Sequence, residues 1–462
     1  MRISLEWLNN KLKIWLFRII NINFRSLYTQ REGIFHMLDL KFIRENKDIL
    51  TQAIKEKGSS LDIDALLEAD KLVTSLKSEI QDLQATRNSH SKKIPVASAE
   101  ERPALIEEGR KIGKDLDARK PALQEAEDKL NSMLYLVPSI PHPDAPKGVG
   151  EDDNVEIKNS GDKPKLSFKP LDHVDLLLKN GWAEFEKIAT ICGSRSYSLR
   201  NEMVLLEMAV HRMAMDKLLD KGFNLVTTPS LSRDSALYGT GHFPEGKDQV
   251  YYLPDDDLYL SGTAEVQLNS FHANEILNES ELPLLYAGYS PCFRREAGSY
   301  GRDVRGLIRV HQFLKTEQYI ICKNDPEESQ KWHSILLETS EEIVKELELP
   351  YRVVECCTGD MGTGKVRMFD VECWVPSEEK YRETHSCSSL HDWQSRRTNT
   401  RYRNSEGKVE YCHTLNNTAV ATPRILVSFL ECHQQEDGSV KIPEKLRPYM
   451  GGRESMKGRS NS

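Results

Sequence analysis

Between Ser290 and Phe313 the chain sets Arg294, Arg295 and Glu296 ahead of Gly298, Gly301 and Gly306, and follows them with Arg309, Val310, His311 and Phe313. The pattern predicts a strand, a glycine-rich loop and a second strand, with Arg294 and Glu296 on one strand face. A guanidinium there forks onto a phosphate, and a carboxylate beside it accepts from an amine. A second segment, His413 to Glu431, holds Pro423 followed by Arg424. Proline suits the first turn of a helix, so Arg424 stands at a helix N-terminus, where the backbone dipole and the guanidinium draw the same phosphate. Chemistry of this kind needs positioning and positive charge at a polyphosphate, with no side-chain nucleophile.

Two other patterns are decoys. Gly359 to Val366 matches G-x-x-x-x-G-K but lacks the Ser or Thr that should follow, and Met368 to Val375 reads as a strand where a P-loop needs a helix. A glycine-rich turn before a strand is the better reading. Cys373, His385, Cys387, Cys412 and His413 could be imagined as metal ligands. Scattered Cys and His in a mixed core are more often packing residues, and no structural zinc is expected. None of the nine cysteines precedes Cys192 and none forms a C-x-x-C pair, which fits a reducing compartment.

The elements that position this chemistry form an α+β chain. A heptad seam runs through Leu66, Val73, Ile80, Arg87 and Ile94 with Ala69, Leu76, Leu83 and His90. After a break bracketed by Pro95 and Pro103, a second seam runs through Leu105, Ile112, Leu116, Leu123, Ala126, Leu130, Met133 and Val137. Two such helices fold back as an antiparallel coiled-coil hairpin projecting about 45 Å. From Arg87 to Lys120 there are nine Lys/Arg and six Asp/Glu, a basic outer half on a chain of net charge -8. That is the local charge an arm needs to follow an RNA backbone, and it is also an ordinary solvated face. Prolines and glycines from Pro138 to Gly150 read as a linker. Beyond residue 170, short β-rich runs and helices such as Leu205 to Lys221 predict a mainly antiparallel β-sheet flanked by helices. The first 36 residues are basic, and their apolar run, split by Arg18, is too short to span a membrane.

The segments around Arg294 and Arg424 resemble motifs 2 and 3 of class II aminoacyl-tRNA synthetases. With the arm, the Leu260 to Glu265 stretch and the Tyr381 to Ser386 stretch, nearly everything from Met37 onward resembles seryl-tRNA synthetases of bacterial type. The resemblance implies an N-terminal extension over 1–36, a tRNA-binding domain with the arm over 37–145, a linker over 146–170, and a class II catalytic domain with a flexible C-terminal tail over 171–462. It implies ATP and Mg²⁺, L-serine, and tRNA(Ser) gripped by the arm, with tRNA(Sec) left open as a second acceptor. A homodimer through Leu205 to Lys221 and the strand ending at Pro229, no membrane, and a cytoplasmic location are implied too, organellar import by residues 1–36 being the alternative.

The same resemblance assigns roles. Arg294, Glu296 and Arg424 are the catalytic set: Arg294 holds the α-phosphate and the serine carboxylate, Glu296 accepts from the adenine amine, and Arg424 clamps the γ-phosphate. Phe313 stacks on adenine; Arg295, Val310, Thr384 and His385 complete the ATP site; Glu383 and Ser386 hold Mg²⁺. Thr263 and Glu265 face the serine amine, with Ala264 between them in the serine site, while Glu317, Asn416 and Thr418 enclose its hydroxyl. Rejecting alanine requires such buried polar partners, left unpaired when the hydroxyl is missing. The chain departs from the family pattern at Thr418, where serine is common, and at Thr384 and His385 in place of Ile and Ser. An RNA-binding relative without transfer activity would usually lose one of the ATP contacts, and Arg294, Glu296, Glu383 and Arg424 are all present. A purely structural coiled coil leaves everything after residue 170 unexplained.

Overall fold

The structure is a computed structural model that describes residues 40–298 and 305–458. The basic N-terminal segment and Gly301 lie outside the described residues. Helices α1 (Leu40–Glu45) and α2 (Lys47–Glu56) lead into α3 (Ile63–Lys93), which a short turn joins to α4 (Arg102–Leu134). Asp62 caps α3 by accepting from the amides of Asp64 and Ala65, and Pro103 occupies the first turn of α4. Leu66, Ala69, Val73 and Ile80 bury one stripe of α3 against Leu116, Ala126 and Leu130 of α4. Each fully buried leucine is worth roughly 2 kcal/mol, and neither helix could hide its stripe alone. Lys77 pairs with Glu127 at 2.7 Å, Arg119 with Glu79 at 3.0 Å and His90 with Glu108 at 3.3 Å, so the two helices run antiparallel in a fixed register.

The second body is an eight-stranded sheet whose strands we number in chain order. They are β1 (Val155–Ser160), β2 (Asn224–Thr227), β3 (Leu284–Phe293), β4 (Gln312–Cys322), β5 (Tyr351–Glu355), β6 (Arg367–Val375), β7 (Lys380–His391) and β8 (His413–Thr422). The spatial order is β1-β5-β6-β7-β8-β4-β3-β2, antiparallel throughout except where β2 runs parallel to β3. Helices α5 (Glu202–Asp220), α6 (Pro326–Glu346) and α7 (Arg424–His433) cover one face. In α5 the buried positions Met203, Leu206, Val210 and Met213 recur at helical spacing, as an amphipathic helix on a sheet requires.

Two expectations need correction. The stretch 146–170 is not a plain linker: β1 lies within it and pairs with β5 at the sheet edge. Its residues are almost all exposed, and the alternation from Val155 to Lys158 is only four residues long, a weak strand signal among polar neighbours. The proline-rich run before it is packed, with Ser139 N–H donating to the Thr363 carbonyl (3.0 Å) and His142 N–H to that of Val366 (2.8 Å). The C-terminal tail is likewise tied down as far as Gly458: Ser455–Met456 pairs with Val440–Lys441, and Gly458 N–H donates to Asn180 Oδ1.

Candidate active site

The antiparallel hairpin of β3 and β4 carries the first expected segment, but Arg294 and Glu296 have already left the strand, which ends at Phe293. Glu296 takes φ +51°, a left-handed turn that breaks the two-residue alternation. They share a cavity nonetheless, because the turn folds the chain back towards β4. There Arg309 donates to Glu296 Oε2 at 2.6 Å, and the Arg294 guanidinium lies 5.3 Å from the centroid of Phe313. Gln249 pins the turn by accepting from the Arg295 and Ala297 amides.

Opposite stands the start of α7. Arg424 is its first residue, as expected from Pro423, and it donates to Glu383 Oε2 (3.2 Å) and to the Glu383 carbonyl (3.1 Å) on β7. Glu383, Ser386, Val310, Phe313, Thr384 and Thr418 line the same end of the cavity. Asp370 of β6 stands directly across from Ser386. Glu383 and Ser386 are hard oxygen donors, the kind that Mg²⁺ takes, so they suit the ion assigned to them.

The cavity continues, with a volume near 700 Å³, past Thr263, Glu265, Glu317 and Asn416. Glu317 is buried in mid-strand on β4; its carboxylate accepts from Thr263 Oγ1 at 3.2 Å and forms a close ion pair with Lys315. Burial pushes the Glu317 carboxyl up, with Lys315 pulling it back and Glu265 adding to the rise. Glu265 Oε1 accepts from Asn416 Nδ2 and Gln394 Nε2, both at 2.6 Å. This end is thus a ring of buried, mutually bonded polar groups that presents hydrogen-bonding partners to a small polar ligand.

Three expected site residues stand elsewhere. His385 is buried on the far side of β7, its ring bonded to the Ala419 carbonyl and Thr384 Oγ1, and burial holds it neutral by pushing its pKa to about 4. Ala264 packs behind the wall against Gly288, where an added Cβ would come within 2.6 Å of it. Arg295 is exposed and absent from the cavity lining. Conversely, Lys315, Gln394 and His242 belong to the site or its support without having been singled out, while Arg309 was noted without a role and Lys365 only as part of the decoy pattern. Lys315 carried a signal, being two residues from Glu317 on one strand face. Gln394 carried none, since it comes from a short helix after β7. The cluster Cys373, His385, Cys387, Cys412 and His413 is buried packing, and all nine cysteines are free. Gly359 to Val366 is a turn leading into β6, as expected of the decoy.

An antiparallel sheet carrying an arginine turn on one side and a helix-start arginine on the other is the catalytic core of a class II aminoacyl-tRNA synthetase, and residues 251–433 match the tRNA synthetase class II core domain (G, H, P, S and T). Residues 37–141 match the seryl-tRNA synthetase N-terminal domain. The chain is 54% identical to a serine–tRNA ligase of Deinococcus radiodurans over 91% of its own length and 99% of the relative's. It superposes with a TM-score of 0.84 on seryl-tRNA synthetase from Pyrococcus horikoshii complexed with ATP, at 39% identity, covering 92% of this chain and all of that one. A cytoplasmic serine–tRNA ligase from Naegleria fowleri in complex with AMP gives 0.80 at 29% identity, with 92% and 100% covered. The chain belongs to the seryl-tRNA synthetase family.

Proposed function

We propose that the cavity activates L-serine with ATP and transfers it to the 3′ end of tRNA(Ser). The observation that carries this is the meeting in one cavity of Arg294 and Arg424, set for phosphates, with the buried Thr263, Glu317 and Asn416 ring, set for a small hydroxylated ligand. In the first step the serine carboxylate attacks the α-phosphorus, and the bond to the bridging oxygen breaks to release pyrophosphate. Arg294 neutralises charge at the α-phosphate and orients the carboxylate; Arg424 holds the γ-phosphate in line. Glu296 accepts from the adenine amine while Phe313 stacks on the ring. Mg²⁺ held by Glu383 and Ser386 would supply further charge neutralisation on the phosphates. In the second step a terminal ribose hydroxyl attacks the seryl carbonyl and AMP departs.

The arm supports the choice of tRNA as acceptor, since α3 and α4 project a basic outer half clear of the sheet. Dimerisation is supported by α5, whose Val204, Leu205 and Met208 expose apolar side chains beside the exposed Leu225 of the edge strand β2. No helix among the described residues is long and apolar enough to cross a membrane, and free buried cysteines suit a reducing cytoplasm.

Amino-acid-dependent ATP–pyrophosphate exchange tests the reading, with serine, threonine, alanine, glycine and cysteine in parallel and Mg²⁺ present. Strong exchange with serine, and at most weak exchange with the other four, is expected. Folded protein that exchanges with none of the five would return the chain to the non-catalytic RNA-binding reading.

A further inference from the structure

Five Arg or Lys side chains line the large cavity: Arg294, Arg309, Lys315, Lys365 and Arg424. Three are matched in ion pairs, Arg309 with Glu296, Lys315 with Glu317 and Arg424 with Glu383. Arg294 and Lys365 form no ion pair with any described carboxylate; the Lys365 ammonium lies 3.1 Å from the Met368 sulfur. A phosphate can therefore reach these two cations without first displacing a carboxylate from an ion pair.

The loop that carries Lys365 is held from several sides. The Lys57 side chain, only 8% exposed, reaches from the end of α2 and donates to Ser139 Oγ and to the carbonyls of Gly362, Thr363 and Lys365. Thr363 Oγ1 donates to Glu245 Oε2 at 2.7 Å across the cavity. Gly364 lies so close to Trp393 that an added Cβ would come within 2.4 Å of the indole. A surface lysine on a mobile loop would choose its own partners; this one is presented by a braced backbone. The bracing places a second buried lysine, Lys57, beneath it, its Nζ donating to the Lys365 carbonyl.

We propose that Lys365 is a substrate-binding residue that takes a phosphate oxyanion, donated by the ATP triphosphate or by the 3′-terminal phosphodiester of the tRNA. It shares with Arg294 the position of an unmatched cation in the cavity wall, and it rests on the reading of that cavity as an adenylating site. The test compares wild type with Lys365→Met and Lys365→Arg in two assays: pyrophosphate exchange without tRNA, and aminoacylation of unfractionated tRNA at several salt concentrations. If the triphosphate is the ligand, KM for ATP in exchange rises about tenfold in Lys365→Met and is largely restored in Lys365→Arg. If the tRNA end is the ligand, exchange is untouched, KM for tRNA rises severalfold, and the slope of log KM against log salt flattens by about 0.7. Unchanged constants throughout, or a rise confined to KM for serine, would overturn the proposal. Wild-type exchange with serine separates that failure from a failure of the functional reading itself.

Discussion

Replacing Glu317 by glutamine tests the hydroxyl pocket most directly. The side chain keeps its shape and a carbonyl oxygen that can still accept from Thr263, which donates to the carboxylate at 3.2 Å. What is lost is the charge. A hydrogen bond to a charged acceptor contributes roughly 1.5–3 kcal/mol and one to a neutral acceptor roughly 0.5–1.5 kcal/mol. The difference for the serine hydroxyl is therefore about 1.4 kcal/mol, or tenfold in kcat/KM. Alanine has no hydroxyl to lose, so its weak exchange rate should stay level and the serine-to-alanine ratio should fall about tenfold. The variant also strands the Lys315 ammonium, which is 9% exposed; breaking such a pair costs about 3 kcal/mol and should lower the urea midpoint. Adding Lys315→Met should recover the midpoint without recovering the ratio, which separates folding from selectivity. A ratio within twofold of wild type, or serine and alanine rates falling in parallel, would refute the assignment of Glu317 to the hydroxyl.

Other consequences follow from the same geometry. Arg424→Lys should raise KM for ATP about tenfold by removing the planar fork, with thermal stability nearly unchanged because its Glu383 partner is half exposed; an unaltered KM for ATP would remove Arg424 from the phosphates. Joining residue 79 to residue 119 by a short glycine-rich loop, at the level of the Glu79–Arg119 pair, should spare serine-dependent exchange and abolish aminoacylation, whereas loss of both would deny the arm a separate task. Burial holds His242, His333, His385 and His413 neutral, each pushed from 6.5 down to about 4. Unfolded chains protonate these rings near 6.5 and the fold does not, so stability should fall as pH drops from about 6.5 to about 5, by about 1 kcal/mol per unit for each ring. A urea midpoint that stays flat over that range would contradict their burial as neutral imidazoles.

What the sequence made legible is what repeats or punctuates. The arm shows itself because heptads persist over two helices, and α7 because Pro423 stands just before it at Arg424. Strand periodicity misplaced Glu296, since a two-residue rule has no means of anticipating a non-glycine residue in the left-handed region. It also missed β1, whose alternation from Val155 to Lys158 is short and whose side chains face solvent at a sheet edge. The extra residue Thr384 on β7, where the register with β6 slips between Val371 and Glu372, lets Glu383 and Ser386 share the cavity although three residues apart, while His385, paired with Val371, points into the core. Lys57 is the furthest from view: nothing local distinguishes it from the other lysines of its helix, and its four acceptors come from residues 139 and 362–365.

That last contact changes how the arm and the cavity should be thought of together. The base of the arm is fastened to the catalytic body at several points: the Trp393 indole donates to the Val137 carbonyl at 3.1 Å, Arg397 to that of Tyr135 at 2.8 Å, and Lys57 closes the loop that forms part of the cavity wall. Burial, with Lys365 adding to it, pulls the Lys57 ammonium down to about 7, so its carbonyl cage is held at a cost that a neutral isostere would not carry. A methionine there would fill the space yet leave those carbonyls without their donor. A cation under the loop keeps positive charge beside the unmatched Lys365 and Arg294, and the neutral His242 adds none. The lining sets five cations against five glutamates, so the positive charge on offer to an anion is local, at Arg294 and Lys365, where no ion pair has to be broken first.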